Sequence, residues 1–463
     1  SIIKIKTSIL SDVLHTIAPT TKKELNVLDI SIDSRSLRNT ENTLFFTLKG
    51  NNHNAHDFLN DLYAKGVRYF VVSQDVSLPT DAVVFKVDDA LRALQRFVAF
   101  YRKKYTFPVI GITGSNGKTI VKEWLNQLLL PFYNIIKSPK SYNSQVGVPL
   151  SVIAINDEHN LGIFEAGISK PNEMDFLEAI IQPTIGILTN IGPAHNEGFS
   201  NKEEKLQEKI KLFKNADVLI SEKTDLIAAN KSEKVQWFTW SFTEVANVQF
   251  KKIDTILKVN FEDTEFSVDL PFTDLASVQN IATCITTLLF LKVDTNYIVQ
   301  AIPQLQTVQM RLQVKKGIND CLLIDDSYSS DYQSLKIALD FLEQQKTHQQ
   351  KTVILSDIFQ SGFTPEVLYH KVSQLLNQNH VTRVIGIGNK IGTHLTNVPQ
   401  FQSYPDTETF LNDFNLRSFR SETILIKGSR SFQFEKIVAE LEEKTHETVL
   451  EINLDAISHN LNF

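Results

Sequence analysis

Gly111-Ile-Thr-Gly-Ser-Asn-Gly-Lys-Thr119 is the stretch that decides the fold of this chain. It overlaps the end of the apolar run Val109-Ile-Gly-Ile112, and apolar residues at helical spacing follow it, namely Val121, Trp124, Leu125 and Leu128. A strand, a glycine-rich loop and a helix in this order bind phosphate, because the backbone N–H groups at the start of the helix point towards the anion. The stretch therefore predicts an ATP site made by Gly111, Thr113, Gly114, Ser115, Asn116, Gly117, Lys118 and Thr119.

Two side chains of this loop have distinct expected roles. Lys118 would reach the β- and γ-phosphates, and the Thr119 hydroxyl would bind Mg²⁺. The strict form of the motif has glycine at the position of Ile112. A chance Gly-Lys-Thr sequence on a loop is common, but the strand before it and the helix after it favour an ATP site.

Apolar strands alternate with amphipathic helices along most of the chain. Strands are predicted at 43–48, 69–72, 109–112, 161–164, 185–188, 321–324, 353–355, 384–385 and 423–426. This alternation predicts an α/β fold with parallel sheets. The more polar zone at 221–269 is predicted to form β-hairpins beside the first of these sheets, and a linker is expected between 304 and 316.

Length and composition limit the class of protein. At ~100–200 residues per domain, 463 residues imply about three domains. The net charge of −6, with no basic block, argues against a nucleic-acid surface. The apolar stretch at 284–293 is shorter than the ~18 residues that a membrane span needs, and the first twenty residues lack a signal-peptide pattern. Cys284 and Cys321 suit buried thiols in a reducing compartment, so a cytoplasmic enzyme is expected.

Further motifs occur in a fixed order along the chain. They are Asp33-Ser-Arg35, Leu44-Phe-Phe-Thr-Leu-Lys-Gly50, His56-Asp-Phe58, Asn143-Ser-Gln-Val-Gly-Val-Pro149, Phe164-Glu-Ala-Gly167 and Thr189-Asn-Ile-Gly-Pro-Ala-His195. Together with Thr113-Gly-Ser-Asn-Gly-Lys-Thr119 this series resembles the Mur ligases, to which the folylpolyglutamate synthases are related. In the carboxyl half, Ile324-Asp-Asp-Ser-Tyr328, Leu355-Ser-Asp-Ile358 and Leu425-Ile-Lys-Gly-Ser-Arg430 resemble the family member that adds D-alanyl-D-alanine to UDP-N-acetylmuramoyl-tripeptide in peptidoglycan synthesis.

The resemblance implies an α/β fold with the three-domain Mur ligase architecture. Residues 1–83 would bind the uridine-nucleotide precursor, and residues 84–310 would form the central P-loop domain that binds ATP. Residues 311–446 would form a Rossmann-like domain that binds the acceptor, D-alanyl-D-alanine.

The same resemblance implies the roles of individual residues. Lys118, Glu165, His195 and Lys209 would be catalytic. Mg²⁺ would be bound by Thr119, Glu165, His195 and Lys209, the last as a carbamoylated lysine. Besides the loop, ATP would be bound by Asn280, Arg311 and Asp326. The substrates would be bound by Ser34, Arg35, Asn143, Tyr328, Lys427, Ser429 and Arg430.

The residues themselves support some of these roles and leave others open. Glu165 ends an apolar strand, which places its carboxylate at the edge of the sheet where α/β proteins bind ligands. His195 follows another strand by a short loop, but a lone histidine is more often a hydrogen-bonding residue than a metal ligand. Lys209 lies in a lysine-rich helical run that is also typical of a solvated face.

Several positions depart from the family pattern. They are Ala276-Ser277, Ser329-Ser-Asp-Tyr332 and Ser356-Asp-Ile358. The departures at 276–277 and 329–332 leave open a catalytically silent ligase-like scaffold. A ligase that acts on folate is a second alternative, which the Asp33-Ser-Arg35 motif disfavours. Gly386-Ile-Gly388 follows a predicted strand, but its spacing to Gly392 is not that of a dinucleotide-binding loop, so no cofactor is expected there.

The end of the chain carries a pattern of its own. Alternation at Val449, Glu451, Ile452 and Leu454 predicts a strand, and Asp455 is placed to cap a following helix. This segment resembles the opening strand and helix of pyridoxal-phosphate-dependent alanine racemases. Residues 447–463 are therefore expected to begin a truncated racemase-like domain, which makes the chain the ligase part of a ligase–racemase fusion.

Overall fold

The structure is a computed structural model, and it describes most of the chain. The described residues are 3–19, 22–32, 34, 37, 39–48, 55–139, 142–192, 199–226, 234–306, 308, 311–327, 330–358, 363–443 and 450–453, with only the backbone described at 55–57, 226, 311, 333, 430 and 450–453. The chain divides into two compact units. One is Leu94–Val308, and the other combines Ser1–Ala93 with Gln309–Phe463.

The amino-terminal part contains a small parallel sheet. Its elements are β1 (Ile3–Lys6), α1 (Thr7–Leu14), β2 (Glu24–Val27), β3 (Asp29–Ser31), β4 (Thr43–Phe46), α2 (Ala55–Ala64), β5 (Tyr69–Val72), β6 (Val83–Lys86) and α3 (Ala90–Arg102). Strands β1 and β2 pair antiparallel, whereas β3, β4, β5 and β6 follow one another in a parallel sheet. Strands β4 and β5 are buried along their whole length, which explains why their sequences are continuously apolar.

The central part is built on a second sheet. Its elements are β7 (Val109–Thr113), α4 (Lys118–Leu129), β8 (Ile135–Lys137), α5 (Gly147–Val152), β9 (Leu161–Glu165), α6 (Met174–Ile181), β10 (Ile185–Leu188), α7 (Lys202–Ile210), β11 (Val218–Glu222), β12 (Gln236–Ser241), β13 (Val248–Ile253), β14 (Ile256–Phe261), β15 (Thr264–Asp269), α8 (Leu275–Phe290) and α9 (Thr295–Ala301). The strand order is β15-β14-β13-β12-β11-β10-β7-β9-β8. Strands β13 to β15 form an antiparallel meander that extends the parallel strands, so the hairpins predicted within 221–269 are confirmed for 248–269. Strand β12, in the same zone, instead pairs parallel with β11 and β13.

The strand order brings the functional motifs to one edge. Strand β7 lies between β9 and β10 in parallel pairing, with Ile112 opposite Glu165 and Thr113 opposite Leu188. The chain therefore leaves all three strands at the same edge of the sheet. Behind this edge, the apolar face of α4 packs into a buried core that includes Ile110 and Ile163.

The carboxyl-terminal part contains a third sheet. Its elements are β16 (Arg311–Lys316), β17 (Leu322–Asp326), α10 (Tyr332–Gln344), β18 (Lys351–Ser356), α11 (Pro365–Gln378), β19 (Arg383–Ile387), α12 (Asn389–His394), β20 (Gln402–Tyr404), α13 (Thr407–Asp413), β21 (Thr423–Lys427), α14 (Glu435–Leu441) and β22 (Leu450–Asn453). The strand order is β20-β19-β18-β21-β17-β16-β22, with parallel pairing from β20 to β17. The parallel sheets that the sequence predicts for both halves are confirmed.

The strand predicted near the end of the chain is present as β22. It pairs antiparallel with β16, with Arg311 opposite Asn453. Asp455 and the helix predicted after it lie outside the described residues. The racemase-like domain stays a prediction.

Of the two glycines singled out near β19, Gly386 lies within the strand and Gly388 directly follows it. Gly388 has a φ of +131°, and a Cβ there would lie 2.3 Å from Asp357 Cγ. The Asp357 carboxylate accepts a hydrogen bond of 2.8 Å from the Ile391 N–H at the start of α12. The expectation that no cofactor binds here stays a prediction.

Among the described residues, none of the helices combines the length and apolar character that crossing a membrane requires.

One prediction concerns the pH dependence of stability. Burial raises the pKa of Asp225 to about 6, and the nearby Glu222 carboxylate adds to this effect while Lys202 opposes it. Because the folded-state pKa lies above the ordinary value, ionisation destabilises the fold, and stability falls as the pH rises through about 6. Asp225→Asn should therefore raise the free energy of unfolding at pH 8 by ~1 kcal/mol, after allowance for solvent screening, and by less at pH 5.

Urea unfolding at the two pH values measures this difference. Asp263→Asn serves as the control, because Asp263 is exposed. Equal effects of Asp225→Asn at pH 5 and pH 8 would contradict the prediction.

Candidate functional site

The glycines of the loop after β7 are required by close contacts. Gly114 has a φ of +147°, and a Cβ there would lie 1.9 Å from Thr189 Oγ1. Gly117 has a φ of +84° and immediately precedes α4, and a Cβ there would lie 2.6 Å from Asn280 Oδ1. These two positions exclude a side chain, so the loop conformation itself explains the glycines of the motif.

Gly111 and Ile112 lie within β7, before the loop. A Cβ on Gly111 would lie 2.8 Å from Pro183 Cβ, so packing explains this glycine. Ile112 is fully buried beside Glu165. The position where the strict motif has glycine is therefore a core position of the strand in this chain, which accounts for the departure.

The segment that follows β10 holds the phosphate loop in place through hydrogen bonds. The N–H groups of Ser115 and Asn116 donate to the backbone oxygen and the Oδ1 of Asn190, each at 3.0 Å. Thr189 Oγ1 donates to the Asn116 carbonyl at 2.6 Å, and the Gly192 N–H donates to Ser115 Oγ at 2.7 Å. Two of the N–H groups that were expected to face phosphate thus donate within the protein in this structure.

Sequence reasoning did not assign Thr189 or Asn190 to the site. The feature that could have identified them is their position directly after the buried strand β10, because β10 neighbours β7 in the sheet and the two strands end at the same edge.

Two lysines converge on the same carbonyl of the loop. Lys118 Nζ donates to the Gly114 carbonyl at 2.8 Å, and Lys209 Nζ lies 3.5 Å from the same oxygen. Lys209 is only 1% exposed, as is Lys205 one turn earlier on α7, whereas Lys202 is exposed. The alternative that Lys209 belongs to a solvated face is therefore wrong.

Glu165 is the buried centre of the site. The hydroxyl of Thr119 and the side-chain amide of Asn143 donate to its Oε1, at 3.0 Å and 2.8 Å. The structure thus brings together three of the predicted residues, although Asn143 was expected to bind substrate and here contacts the carboxylate. In addition, Lys122 Nζ lies 2.9 Å from Glu165 Oε2, and both side chains are 0% exposed.

Lys122 was missed by sequence reasoning. It lies one helical turn after Lys118, next to the apolar residues of α4 that pack into the core. A lysine on the buried side of a helix needs a partner of opposite charge, and this requirement could have identified it.

The side chains at this edge fit Mg²⁺. A hydroxyl and a carboxylate oxygen within hydrogen-bond distance of each other are the kind of ligand that this ion prefers. Among the described side chains, no group of three or more His, Cys, Asp or Glu is arranged to hold a metal ion. Thr119 and Glu165 would therefore hold Mg²⁺ with further oxygen atoms from water and phosphate.

Asn280 lies on α8, directly against the loop. Its side chain is mostly buried, and its amide oxygen faces Gly117. Among the departing positions nearby, Ala276 is exposed and the Ser277 N–H donates to Asp274, which caps α8.

The carboxyl-terminal sheet has a polar edge of its own. Lys427 and Asp326 lie opposite each other at the ends of β21 and β17, and Lys427 Nζ donates to Asp326 Oδ2 at 2.7 Å. Both side chains are buried, so two residues predicted to bind different ligands pair with each other here. Asp325 has different partners, since it accepts from the Ser327 hydroxyl at 2.7 Å. The Ser429 N–H donates to Ser356 Oγ at the same edge.

The other predicted residues are only partly described. Arg35, His195 and Tyr328 lie outside the described residues. Arg311 lies in β16 and Arg430 in a short 3₁₀ turn, each with only its backbone described. Ser34 is half-buried in the amino-terminal part of the chain. The roles of these residues stay predictions.

Removing the lysine side chain of the loop should weaken nucleotide binding. Lys118→Ala deletes a charged donor to phosphate, so ATP should bind about 10- to 100-fold more weakly, while the fold is kept because Lys118 is not part of the apolar core. Isothermal titration with ATP measures the affinity, and circular dichroism measures the fold. Lys214→Ala is the control, because Lys214 is an exposed lysine that pairs with Asp175. ATP affinity equal to that of the unmodified protein would contradict the role of Lys118.

Comparison with known proteins agrees with this geometry. Residues 112–288 match the model of the Mur ligase middle domain. The UDP-N-acetylmuramoyl-tripeptide--D-alanyl-D-alanine ligase of Bacillus subtilis (strain 168) is 24% identical over 427 residues, which cover 89% of this chain and 93% of the relative.

Two solved structures share the fold. The crystal structure I of MurF from Acinetobacter baumannii superposes with a TM-score of 0.58 at 22% identity, covering 95% of this chain and 99% of that protein. The MurF ligase from Thermotoga maritima in complex with ADP superposes with a TM-score of 0.54 at 21% identity, covering 89% and 96%. The chain therefore shares the three-domain α/β fold of these structures, and its residues 112–288 are similar to the Mur ligase middle domain.

Proposed function

We propose that this chain is an ATP-dependent amide ligase that joins D-alanyl-D-alanine to UDP-N-acetylmuramoyl-tripeptide in peptidoglycan precursor synthesis. The observation that carries the proposal is the pairing of a phosphate-binding loop with the buried Thr119–Glu165 contact at one sheet edge. Relatives named for this reaction align with almost their full length, which supports the choice of substrates.

The reaction needs activation because a carboxylate is a poor electrophile. A carboxylate oxygen of the tripeptide attacks the γ-phosphorus of ATP, which gives an acyl phosphate and releases ADP. The amine of D-alanyl-D-alanine then attacks the acyl carbon, the tetrahedral intermediate expels inorganic phosphate, and the amine loses a proton as the amide forms. Transfer of the phosphoryl group and expulsion of phosphate both develop negative charge on phosphate oxygens, so cations fixed near these oxygens lower the barrier.

The described residues supply part of this electrostatic stabilisation. Lys118 can move from the Gly114 carbonyl to the phosphates, which are stronger acceptors. The amino terminus of α4 adds the positive end of a helix dipole. Thr119 and Glu165 would hold Mg²⁺, which would supply further positive charge beside the phosphates.

Lys209 is part of the proposed metal site as a carbamate. Carbamoylation places a neutral-amine reaction at a side chain that is buried beside the phosphate loop. The modified side chain would present oxygen atoms in place of a cation. His195 is proposed as a further residue of this site.

The proposal also includes the cellular compartment of the enzyme and the role of residues 447–463. We place the enzyme in the cytoplasm, where its nucleotide substrates are made. Residues 447–463 are proposed to begin an alanine racemase-like domain, since a racemase produces the D-alanine from which the acceptor dipeptide is built.

Substrate-dependent phosphate release tests the function. Phosphate release should require UDP-N-acetylmuramoyl-tripeptide, D-alanyl-D-alanine and ATP together, and omission of any one should abolish it. The control replaces both peptide substrates with a folate and glutamate. Phosphate release in the control would favour the folate ligase, and no release under any condition would favour a silent scaffold.

Replacement of the buried lysine tests the carbamate. Lys209→Ala should lower turnover at least about 100-fold, because an oxygen ligand of the metal is lost, and a short carboxylate such as acetate should restore part of it. Lys211→Ala is the control, because Lys211 lies in the turn that follows α7 and forms an ion pair with Glu208. Turnover of Lys209→Ala equal to that of the control, with no response to acetate, would contradict the role.

A further inference from the structure

Lys122 is a buried cation that neither the phosphate-loop motif nor the proposed mechanism uses. Its side chain is 0% exposed on α4, one turn after Lys118. A buried charge is costly unless it is paired, and here the nearest carboxylate oxygen is Glu165 Oε2 at 2.9 Å. Lys122 Nζ also lies 3.6 Å from Glu123 Oε1.

The two oxygens of Glu165 have separate partners. Oε1 accepts from the Thr119 hydroxyl and the Asn143 amide, whereas Oε2 faces Lys122. Thr119 and Lys122 are three residues apart on α4, so one helix contacts both sides of the carboxylate. The carboxylate therefore has one orientation, with Oε1 on the side of the phosphate loop.

We propose that Lys122 is a positioning residue for the metal site, which fixes Glu165 through Oε2 so that Oε1 and the Thr119 hydroxyl together face Mg²⁺. This inference rests on the proposed function, because that function supplies the nucleotide-bound ion. Groups that hold a metal ligand in place typically change metal affinity by 10- to 100-fold when they are removed. Lys122 does not touch the nucleotide or the reacting atoms.

Metal binding separates this role from a purely structural one. In Lys122→Met, which keeps the length of the side chain and removes its charge, Glu165 can rotate, and the ion loses a preoriented ligand. Mn²⁺ stands in for Mg²⁺, and the electron paramagnetic resonance signal of free Mn²⁺ measures its binding to the complete chain with ADP. The Mn²⁺ dissociation constant should rise 10- to 100-fold in Lys122→Met.

Lys137→Met is the matched control. Lys137 forms an ion pair with Glu123 at 3.1 Å in the same cluster, so its removal should leave Mn²⁺ affinity within about twofold of the unmodified protein. Lys122→Arg keeps the positive charge and should restore Mn²⁺ affinity to within a few-fold. Thermal unfolding of each variant establishes that the measured protein is folded.

The result that would overturn the proposal is an Mn²⁺ affinity in Lys122→Met that equals or exceeds that of the unmodified protein, even if the variant unfolds at a lower temperature. If Lys122→Met does not fold, Lys122→Gln carries the test, since its uncharged and shorter side chain should weaken Mn²⁺ binding in the same direction. Ligation by the unmodified protein is measured separately with the three substrates. Its absence would contradict the proposed function, while the Mn²⁺ comparison would still decide the role of Lys122.

Discussion

The burial of the Glu165 carboxylate is the constraint on which the rest of the site depends. A charge removed from water needs both a counter-charge and hydrogen-bond donors, and two elements supply them here. Helix α4 contributes Thr119 and Lys122, the segment before α5 contributes Asn143, and β9 holds the carboxylate itself. The spacing of these elements is therefore set by one carboxylate as well as by apolar packing.

The phosphate loop depends on the same part of the sheet. Strand β10 pairs with β7, so the residues that follow β10 lie beside the loop and form hydrogen bonds with its backbone groups. Asn190 accepts hydrogen bonds from the N–H groups of Ser115 and Asn116. The Thr189 side chain fills the space that a Cβ on Gly114 would need. The loop is held in its conformation by neighbouring protein groups before any nucleotide is bound, which reduces the entropy that binding must remove.

The fold was largely predictable because apolar runs have a clear length and period. The strands around Val109, Leu161 and Ile185 are continuously buried, and short apolar runs that alternate with amphipathic helices favour strands inside a parallel sheet. The phosphate loop was predictable because strand, glycines and helix are adjacent in sequence. Contacts between distant segments were not, since no local pattern records that Asn190 meets Asn116.

The buried lysines show the same limit of sequence reasoning. Lys122, Lys205 and Lys209 are all buried, although lysine is normally a surface residue and composition favours a solvated face. Similarly, the pairing of Lys427 with Asp326 follows from the register of β21 and β17, which only the assembled sheet defines. Burial of a charged residue depends on which groups of the opposite charge the fold brings near, and this is a property of the tertiary structure.

The fate of a carboxylate oxygen tests the proposed chemistry most directly. The tripeptide substrate is labelled with ¹⁸O in its terminal carboxylate, and the phosphate released during ligation is analysed by mass spectrometry. An acyl phosphate transfers one carboxylate oxygen to phosphorus, and attack by the amine leaves that oxygen on the departing phosphate, so one ¹⁸O per phosphate is predicted. Phosphate that contains no ¹⁸O, although amide has formed, would contradict ligation through an acyl phosphate.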